Sequence, residues 1–557
     1  MRNKLNLFTF LAFLLVGGFY MQSQACTNVL VSRGASADGS VMISYLADAG
    51  GFMDPLNFYP GGEYEEGDSV DIICWHYNHL LGRIPQVSKT YKVIGNMNEH
   101  QVAIGETTFT GRPELHTPNG FIDYGAMMYI GLQRSKTARE AIEVMTGLVE
   151  EFGYNSTGES FSIADKNEAW IMEFIGKGEH GEGAVWVAAR VPDGYIAAHA
   201  NHARVRHIDW DDTENWMWSD DLVDFAIEME WFGADQPKEE FSFVDAYSPD
   251  DPVALLLCEG RVWSVFNRAA PSKEFSSDFW RCVEGAEPYP LFVKPDEKIT
   301  VEAMIAFVRD HFHDTPYYTG EGIASGPYNN PYRWRPLFFE LDGHEDEDGE
   351  PIRFSWERTI SQPQTGFSFI SQSRNWLPDE IGGIFWYGLD DTYSNAYMPL
   401  YMGMERAPKS LITGNVVDFD WDAAFWVFNL VANYAYGLYS YIIQDIKEVQ
   451  LEVESRSHAM TKAVDIAAKQ LYETDKEMMM EYLTDFSVNN AEYTVQRWRE
   501  LGYYIFSKYN DRYIRTEDKL RPWPSGVGYP EDFLHRAVEE RPGYYDVKWR
   551  KPGEPIK

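Results

Sequence analysis

The chain has few cysteines and none of several familiar catalytic motifs. Its four cysteines form no Cys-x-x-Cys pair and no Cys/His cluster with zinc spacing, which excludes a disulfide scaffold and a zinc-finger-like site. The motifs GxSxG, HExxH, the P-loop and a GxGxxG between strand and helix are missing. Their absence weighs against an elbow-type serine hydrolase, a zincin and a nucleotide enzyme. We therefore expect neither a metal nor a cofactor.

Positive charge is also scarce. Lysine and arginine number 48 against 86 aspartates and glutamates, a formal net charge of −38. Such an acidic surface argues against nucleic acid and anionic membranes as partners. After Met21 no apolar run is long enough to cross a bilayer, so no membrane partner is expected once a leader has been removed. A hydrophobic content of 44% over 557 residues predicts a globular protein with one large domain plus additions, or two domains.

The first 25 residues have the pattern of a secretory signal peptide. Arg2 and Lys4 precede an apolar stretch at residues 5–19, and residues 23–25 (Ser-Gln-Ala) place small side chains at −3 and −1 of a cleavage site. This pattern predicts export to the periplasm or the exterior of a bacterial cell. Cleavage would leave Cys26 with both a thiol and a free α-amine. A nucleophile beside its own base is a catalytic arrangement known for N-terminal residues.

Two other interpretations of Cys26 stay open at this point. The cysteine of a lipoprotein is acylated and serves only as an anchor, but that signal normally has a Leu-like residue where this chain has Ser23. A cysteine at a processing boundary can also be a coincidence. Elsewhere in the chain, a Cys258–Cys282 bridge and a pair of buried free thiols are equally compatible with the sequence.

The segment after Cys26 has the pattern of a β-hairpin. Apolar residues at 27–31 and 41–43 flank a turn signal at residues 37–40 (Ala-Asp-Gly-Ser), which places Cys26 at the start of a strand. Further strand-like runs occur at residues 101–104, 160–163, 169–174 and 185–188.

Helical patterns are clearest in the middle and at the end of the chain. Residues 138–152 have an apolar face, a capping box at Thr137 and Glu140, and Gly153 as a stop. Residues 441–474 and 476–506 show helical periodicity with alternating charges. We therefore divide the chain into a signal peptide (1–25), a β-rich catalytic domain (26–430) and a C-terminal helical region (431–557).

Several polar residues near the predicted strands could assist a thiol nucleophile. Asn98 precedes one strand and Glu106 follows it, Asn201 follows another, and Asp48 ends the second strand of the hairpin. An oxyanion needs N–H donors, and a carboxylate can orient the amine. Each residue also has an ordinary interpretation, as a turn-stabilising amide, a loop cap or a surface carboxylate.

Ordered sequence blocks resemble a known family. The blocks are Cys-Thr at 26–27, Ala-Ser-Ala-Asp-Gly-Ser at 35–40, Met-Asn-Glu-His-Gln-Val-Ala-Ile-Gly-Glu at 97–106, Asp-Gly-Tyr at 193–195, Ala-His-Ala-Asn-His-Ala-Arg at 198–204, Arg-Val-Trp at 261–263, Arg-Ala-Ala-Pro-Ser at 268–272, Asp-Thr-Pro-Tyr at 314–317, Ser-Gly-Pro-Tyr at 325–328 and Gln-Ser-Arg-Asn-Trp-Leu-Pro-Asp at 372–379. Together they resemble the C69 dipeptidases, which are N-terminal-nucleophile hydrolases related to bile-salt hydrolases and penicillin V acylases. The resemblance covers roughly residues 26–430.

The resemblance implies an α+β fold, the αββα four-layer sandwich, here with a C-terminal helical extension. It implies an exported cysteine dipeptidase that acts on small peptides through a thioester. By position, Cys26 would be the nucleophile and, through its amine, the base. Asp48 would orient it, and Asn201 and Arg261 would match the oxyanion Asn and a later catalytic Arg. We assign Glu106 to the substrate ammonium, and Thr107 and Tyr45 to substrate binding.

One departure from the family pattern concerns Tyr45. The wider superfamily has an Arg three residues before the carboxylate matched by Asp48, and a phenol cannot supply a fixed positive charge. Either Tyr45 donates a hydrogen bond, or another arginine such as Arg33 or Arg261 compensates. The second oxyanion donor is also open, since related acylases have an Asn where this chain has Thr107 and Thr108.

Two other functions are compatible with the sequence. One is an amidase of the same fold that acts on N-acyl amino acids or bile-salt conjugates. The other is a lipid-anchored binding protein without turnover. A homo-oligomer is compatible with each of these.

Overall fold

The computed structural model describes residues 26–49, 55–75, 78–116, 119–334, 336–346, 349–515 and 525–546. The signal peptide predicted over residues 1–25 lies outside the described residues. The structure combines helices with antiparallel sheets, in agreement with the α+β class. No helix among the described residues is long and apolar enough to cross a membrane.

Cys26 lies just before the strand Asn28–Val31 of a six-stranded antiparallel sheet. In spatial order its strands are Ile196–His199, Asn28–Val31, Val41–Ala47, Phe367–Ser373, Ile384–Leu389 and Met398–Tyr401. The predicted hairpin is confirmed, because Leu30 pairs with Ile43. Its second strand runs on to Ala47, four residues beyond the apolar triplet that predicted it. Asp48 therefore follows directly after the strand end.

A second, eight-stranded antiparallel sheet carries Glu106 and Thr107. In spatial order its strands are Trp216–Trp218, Ala184–Arg190, Ala169–Gly176, Gly158–Ala164, Ala103–Phe109, Met97–Asn98, Val93–Ile94 and Phe58–Tyr59. The strand expected at residues 101–104 is wrong in its bounds. Glu106, Thr107 and Thr108, expected after the strand, lie inside it and are paired with Phe161, Ser160 and Glu159. Threonine favours strands, and full-length pairing with Gly158–Ala164 extends the element.

The two sheets face each other, and helices pack on both outer faces. Val29 and Leu46 form a core with the helices Gly260–Ala269 and Val301–Val308, whereas Leu30 points into the space between the sheets. On the eight-stranded sheet, the side chains that point outward pack against helices Tyr124–Arg134 and Ala138–Phe152. Strand alternation thus gives each sheet two apolar faces, one toward helices and one toward the other sheet.

The sheets lie very close to each other where Tyr45 lies over Gly105. A Cβ atom added to Gly105 would stand 2.8 Å from the Cβ of Tyr45, closer than such atoms approach in real structures. Glycine is therefore required at this position. The close approach brings the phenol of Tyr45 next to the following residue of the strand, Glu106.

The remaining elements connect or cover the sheets. The helix predicted over residues 138–152 is confirmed as Ala138–Phe152, and the Thr137 hydroxyl accepts the amide N–H of Glu140 at 3.2 Å. The other helices are Leu222–Glu228, Phe243–Tyr247, Pro252–Ala254, a π-helical turn at Leu255–Glu259, Asp379–Gly382, Ala424–Ala435, Tyr439–Thr474, Lys476–Tyr509 and Glu531–Glu540. Two-stranded sheets pair Phe338–Glu345 with Pro351–Ser355, Ser69–Ile73 with Leu80–Pro85, Gly62–Glu63 with Lys89–Thr90 and Tyr513–Ile514 with Ser525–Gly526.

The two long C-terminal helices predicted from periodicity are confirmed, as Tyr439–Thr474 and Lys476–Tyr509. They pack beside the edge strand Met398–Tyr401, where the Ser487 hydroxyl accepts the N–H of Tyr401 at 3.1 Å. Their apolar side chains are divided between the core that contains Leu30 and Ile43 and the core that contains Val29 and Leu46. The boundary expected after residue 430 falls inside the helix Ala424–Ala435. The long helices therefore cover an otherwise open sheet edge.

Candidate active site

The Cys26 thiol is completely buried at the start of its strand. Its Sγ lies 3.6 Å from Glu106 Oε1 and 3.9 Å from Tyr45 Oη. Burial raises the pKa of the Cys26 thiol well above its usual value, and the negative charges of Glu106 and Asp48 raise that pKa further. The thiol is therefore protonated at neutral pH and requires a base to become a nucleophile.

Tyr45 links the two sheets at this point. Its O–H donates to Glu106 Oε1 at 2.6 Å, and its ring packs edge-on against Phe367 and Phe369. Burial and the neighbouring acids raise the pKa of Tyr45 well above its usual value, so the phenol stays a neutral donor. Tyr45 therefore donates a hydrogen bond to Glu106, which is one of the two alternatives that its phenol left open.

Glu106 faces a second buried carboxyl group, Glu159. The hydroxyl of Thr108 lies 3.4 Å from Glu106 Oε2 and 3.2 Å from Glu159 Oε1, because Thr108 and Glu159 are directly opposite on paired strands. Burial raises the pKa of both carboxyls, and for Glu159 the negative charge of Glu106 adds to the effect. Our sequence interpretation missed Glu159, although a glutamate at the start of a buried strand is an unusual residue there.

Asp48 lies just past the residue opposite Cys26. The register that bridges Thr27 to Leu46 places Cys26 opposite Ala47. Asp48 Oδ1 accepts the hydroxyl of Thr365 at 2.7 Å, while its buried Oδ2 has no hydrogen-bond partner among the described residues. Burial raises the pKa of Asp48 to about 7, against the opposing effects of Arg358, Thr365 and Arg261.

Arg261 ties Cys26 to Asn201. Its Nη1 donates to the carbonyl oxygen of Cys26 at 2.6 Å and to the Thr27 hydroxyl at 2.9 Å. Its Nη2 donates to the carbonyl oxygen of Ala200 and to Asn201 Oδ1, both at 3.0 Å. The fork geometry of the guanidinium thus fixes the nucleophile's main chain and the candidate oxyanion amide with one side chain.

The backbone and side chain of Asn201 are both held in place. Asn201 has a φ of +62°, in the left-handed region that asparagine tolerates better than most residues. Its Nδ2 donates to the carbonyl oxygen of Thr108 at 2.6 Å. Because an amide nitrogen carries two hydrogens, one remains for a further acceptor.

Thr107 belongs to a different network. Its hydroxyl lies 2.7 Å from His199 Nδ1, and the other ring nitrogen of His199 lies 2.7 Å from the Ser162 hydroxyl. Burial lowers the pKa of His199 to about 3, so this ring is neutral. The structure therefore brings together Cys26, Tyr45 and Glu106, and holds Thr107 against His199.

The described residues show neither a metal-binding cluster nor a Cys258–Cys282 bridge. The described residues contain no group of three or more His, Cys, Asp or Glu side chains arranged to hold a metal ion. Cys258 and Cys282 are both free, the first buried and the second exposed, so the bridge left open by the sequence is not formed.

Comparisons with known proteins find similarity to a peptidase family and to dipeptidases. The model of peptidase family C69 matches residues 73–452, a range that contains Glu106, Asn201 and Arg261 but begins after Cys26. A probable dipeptidase of Salmonella dublin is 27% identical over 412 residues, which cover 69% of this chain and 82% of that protein. Dipeptidase A of Lactobacillus helveticus is 24% identical over 82% of this chain and 90% of its own length. A dipeptidase of Bifidobacterium longum (strain NCC 2705) is 23% identical over 85% of this chain and 89% of its own length.

Proposed function

This chain belongs to peptidase family C69 and is a peptidase, and from this premise we propose that it is an exported dipeptidase with Cys26 as its N-terminal nucleophile. The fold we propose is the αββα sandwich of N-terminal-nucleophile hydrolases. Two antiparallel sheets that face each other, with helices on both outer faces, support it. Removal of residues 1–25 during export would create the catalytic α-amine.

In the proposed reaction, the α-amine of Cys26 accepts the thiol proton and Sγ attacks the scissile carbonyl carbon. The second N–H of Asn201 donates to the oxyanion that forms. The amine then protonates the departing amino acid, a thioester remains on Sγ, and water hydrolyses it. The unpartnered Oδ2 of Asp48 is suited to accept a hydrogen bond from the new α-ammonium and so to orient it.

The 3.6 Å distance between Cys26 Sγ and Glu106 Oε1 is the main support for a dipeptide as the substrate. In an unblocked dipeptide the ammonium nitrogen lies two bonds from the attacked carbonyl carbon, about 2.5 Å away. Sulfur attacks that carbon from about 3–3.5 Å. A carboxylate beside Sγ is therefore within reach of the ammonium at the moment of attack.

The same geometry disfavours an N-acyl substrate. An acylated amine has no positive charge, so the buried carboxylate of Glu106 would face a neutral amide and lose a charge-assisted hydrogen bond. We expect an N-acetylated dipeptide to be cleaved about 10²-fold or more slowly than the free dipeptide.

The test uses the chain that begins at Cys26 and two variants of it. Cys26→Ala is expected to lower the rate of alanylalanine hydrolysis by about 10⁴-fold or more, since the nucleophile is gone. One additional alanine before Cys26 should have a comparable effect, because it converts the catalytic amine into an amide. The exposed Cys282 offers a matched control, and Cys282→Ala should keep full activity.

The outcomes separate the alternatives. Full activity of Cys26→Ala would overturn the thiol mechanism. Preference for the N-acetylated peptide would make the protein an amidase. A diacylglycerol mass on Cys26 of protein purified from its native host, together with no turnover, would identify a lipid-anchored binding protein instead.

A further inference from the structure

Among the described residues, the two buried carboxyls next to the thiol have few hydrogen-bond donors for two negative charges. Their hydrogen-bond donors are the Tyr45 phenol, the Cys26 thiol, and the Thr108 hydroxyl that lies between the two groups. A hydroxyl donates one hydrogen, so Thr108 cannot serve both groups at once. The Ser156 hydroxyl adds a long contact of 3.4 Å to Glu159 Oε1, and Glu159 Oε2 has no hydrogen-bond partner among the described residues.

The titratable side chains coupled to this pair are weak acids that stay neutral at pH 7. They are the thiol of Cys26 and the phenols of Tyr45, Tyr124 and Tyr154, and no cation stands among the principal electrostatic partners of Glu106 or Glu159 in the described part of the chain. The α-amine of the mature Cys26 is neutral in the free enzyme, as its role as base requires, and two carboxylates that share this buried site then cannot both stay ionised. The less costly state keeps one proton on the pair. The raised pKa of Glu159 agrees with the proton residing there.

We propose that Glu106 and Glu159 together form a two-carboxylate receptor for the α-ammonium of the substrate, which holds one proton in the free enzyme and releases it when the ammonium binds. Glu106 contacts the ammonium, and Glu159 is a positioning residue that acts through Glu106. The inference rests on the proposed function, since it requires an unblocked peptide at Cys26. The proton leaves to bulk water, and the positive charge of the ammonium takes its place.

The receptor gives the site its selectivity for a free amino terminus. A neutral N-acylated substrate brings no charge to replace the proton, so it meets a singly protonated pair and forms no charge-assisted hydrogen bond with it. A cationic amino terminus exchanges one positive charge for another, so the single net negative charge of the site does not change. Binding of the substrate should therefore tighten as the pH rises, because the proton that has to leave is held less firmly.

Calorimetry of alanylalanine binding counts this proton directly. The parent is the Cys26→Ala variant, which keeps an N-terminal amine and binds without turnover. Titrations at pH 7 in buffers of different ionisation enthalpy should show close to one proton released per dipeptide bound. A parent that binds the dipeptide without releasing a proton overturns the proposal, whatever any second variant does.

Glu159→Gln provides the matched comparison, because glutamine imitates a carboxyl group that cannot lose its proton. Added to the parent, it should abolish the proton release. In the active enzyme it should raise KM by about ten- to hundredfold with kcat within about twofold. Glu159→Asp, which can again ionise, should restore part of the loss in KM. Glu143→Gln makes the same change in charge on the exposed face of the helix Ala138–Phe152 and should change neither quantity.

The readouts keep this inference separate from the proposed function. If the enzyme hydrolyses dipeptides but Glu159→Gln leaves KM and the proton count unchanged, only the receptor is refuted. A Glu159→Gln variant that lowers kcat at an unchanged KM refutes it too. If the wild-type enzyme neither binds nor cleaves alanylalanine, the proposed function itself fails.

Discussion

Cys26 lies between two groups of buried charged residues that differ in how their charges are balanced. The acidic flank consists of Tyr45, Glu106 and Glu159, and the cationic flank of His202, Arg204, Glu259 and Arg261. In the cationic flank, Glu259 Oε1 lies 3.1 Å from Arg204 Nε and 3.3 Å from His202 Nδ1. Among the described residues, no cation is a principal electrostatic partner of Glu106 or Glu159 in the acidic flank.

The pKa values of the carboxyl groups are shifted in opposite directions in the two flanks. Both flanks are buried, and burial alone raises the pKa of a carboxyl. Near Arg204 and His202 the pKa of Glu259 is nevertheless lowered, and the pKa of His202 rises to about 9 because Asp250 and Glu259 outweigh its burial. In the acidic flank the pKa of Glu106 and Glu159 stays raised. The carboxylate of Glu259 has its cationic partners within the protein, and this network stabilises the fold. The pair of Glu106 and Glu159 can instead accept the ammonium of the substrate.

The largest expected effect follows from removing the guanidinium that joins the cationic flank to the nucleophile. Arg261→Met leaves the buried acceptors on Cys26, Thr27 and Asn201 without a donor. We expect a loss of about 3–5 kcal/mol in the free energy of unfolding, measured by urea denaturation, together with loss of peptidase activity. Arg406→Met is the control, because its ion pair with Asp485 is more than half exposed, with side-chain exposures of 60% and 55%, and contributes at most about 1 kcal/mol.

A direct comparison of the two flanks applies the same chemical change to each. Glu259→Gln removes the negative charge between Arg204 and His202, which should lower the free energy of unfolding by about 3 kcal/mol. Glu159→Gln removes a carboxyl that already carries a proton, so at pH 7 it should change the unfolding free energy by less than about 1 kcal/mol. Urea denaturation of both variants at pH 7 measures this contrast. Equal losses of stability would contradict the assignment of the shared proton.

Much of the fold follows from local sequence patterns. The helix Ala138–Phe152 and the pair Tyr439–Thr474 and Lys476–Tyr509 are predicted correctly, because periodicity and capping residues lie within the segment that folds. The hairpin after Cys26 is predicted for the same reason. The strand with Glu106 is placed too early, because its length depends on pairing with Gly158–Ala164, some 50 residues further along the chain.

The candidate site is less predictable than the fold. The family resemblance singles out Cys26, Asp48, Asn201 and Arg261. The guanidinium of Arg261 binds both Cys26 and Asn201. Asp48 follows the strand end that lies opposite Cys26. The role of Glu159 is not accessible in this way. Its position opposite Thr108 follows from strand register, and its pKa is raised by burial and then by the charge of a neighbour 53 positions earlier in the chain. Long-range packing decides such contacts, and no local pattern encodes them.

The smallest expected effect is a pH dependence that belongs to His202. Its pKa is about 9 in the folded protein, against about 6.5 for an unfolded histidine. Because the folded value is the higher one, the stabilisation is fully present below about pH 6.5 and is lost as the pH rises through 9. The groups that face the ring are Asp250, Glu259, Glu173, Arg204 and Arg206.

The loss between pH 6 and pH 9.5 should reach at most about 3 kcal/mol, measured by urea denaturation across that range. His202→Gln should remove this component of the slope, while a uniform decrease in stability is expected at every pH. The raised pKa of Asp48, about 7, also makes the protein less stable as the pH rises, and it does so equally in both proteins. Glu173 is coupled to the charge of His202, so the difference between the two curves reports His202 together with this neighbour. Parallel curves would mean that the ring is neutral, and the cationic flank would then contain one cation fewer than its geometry implies.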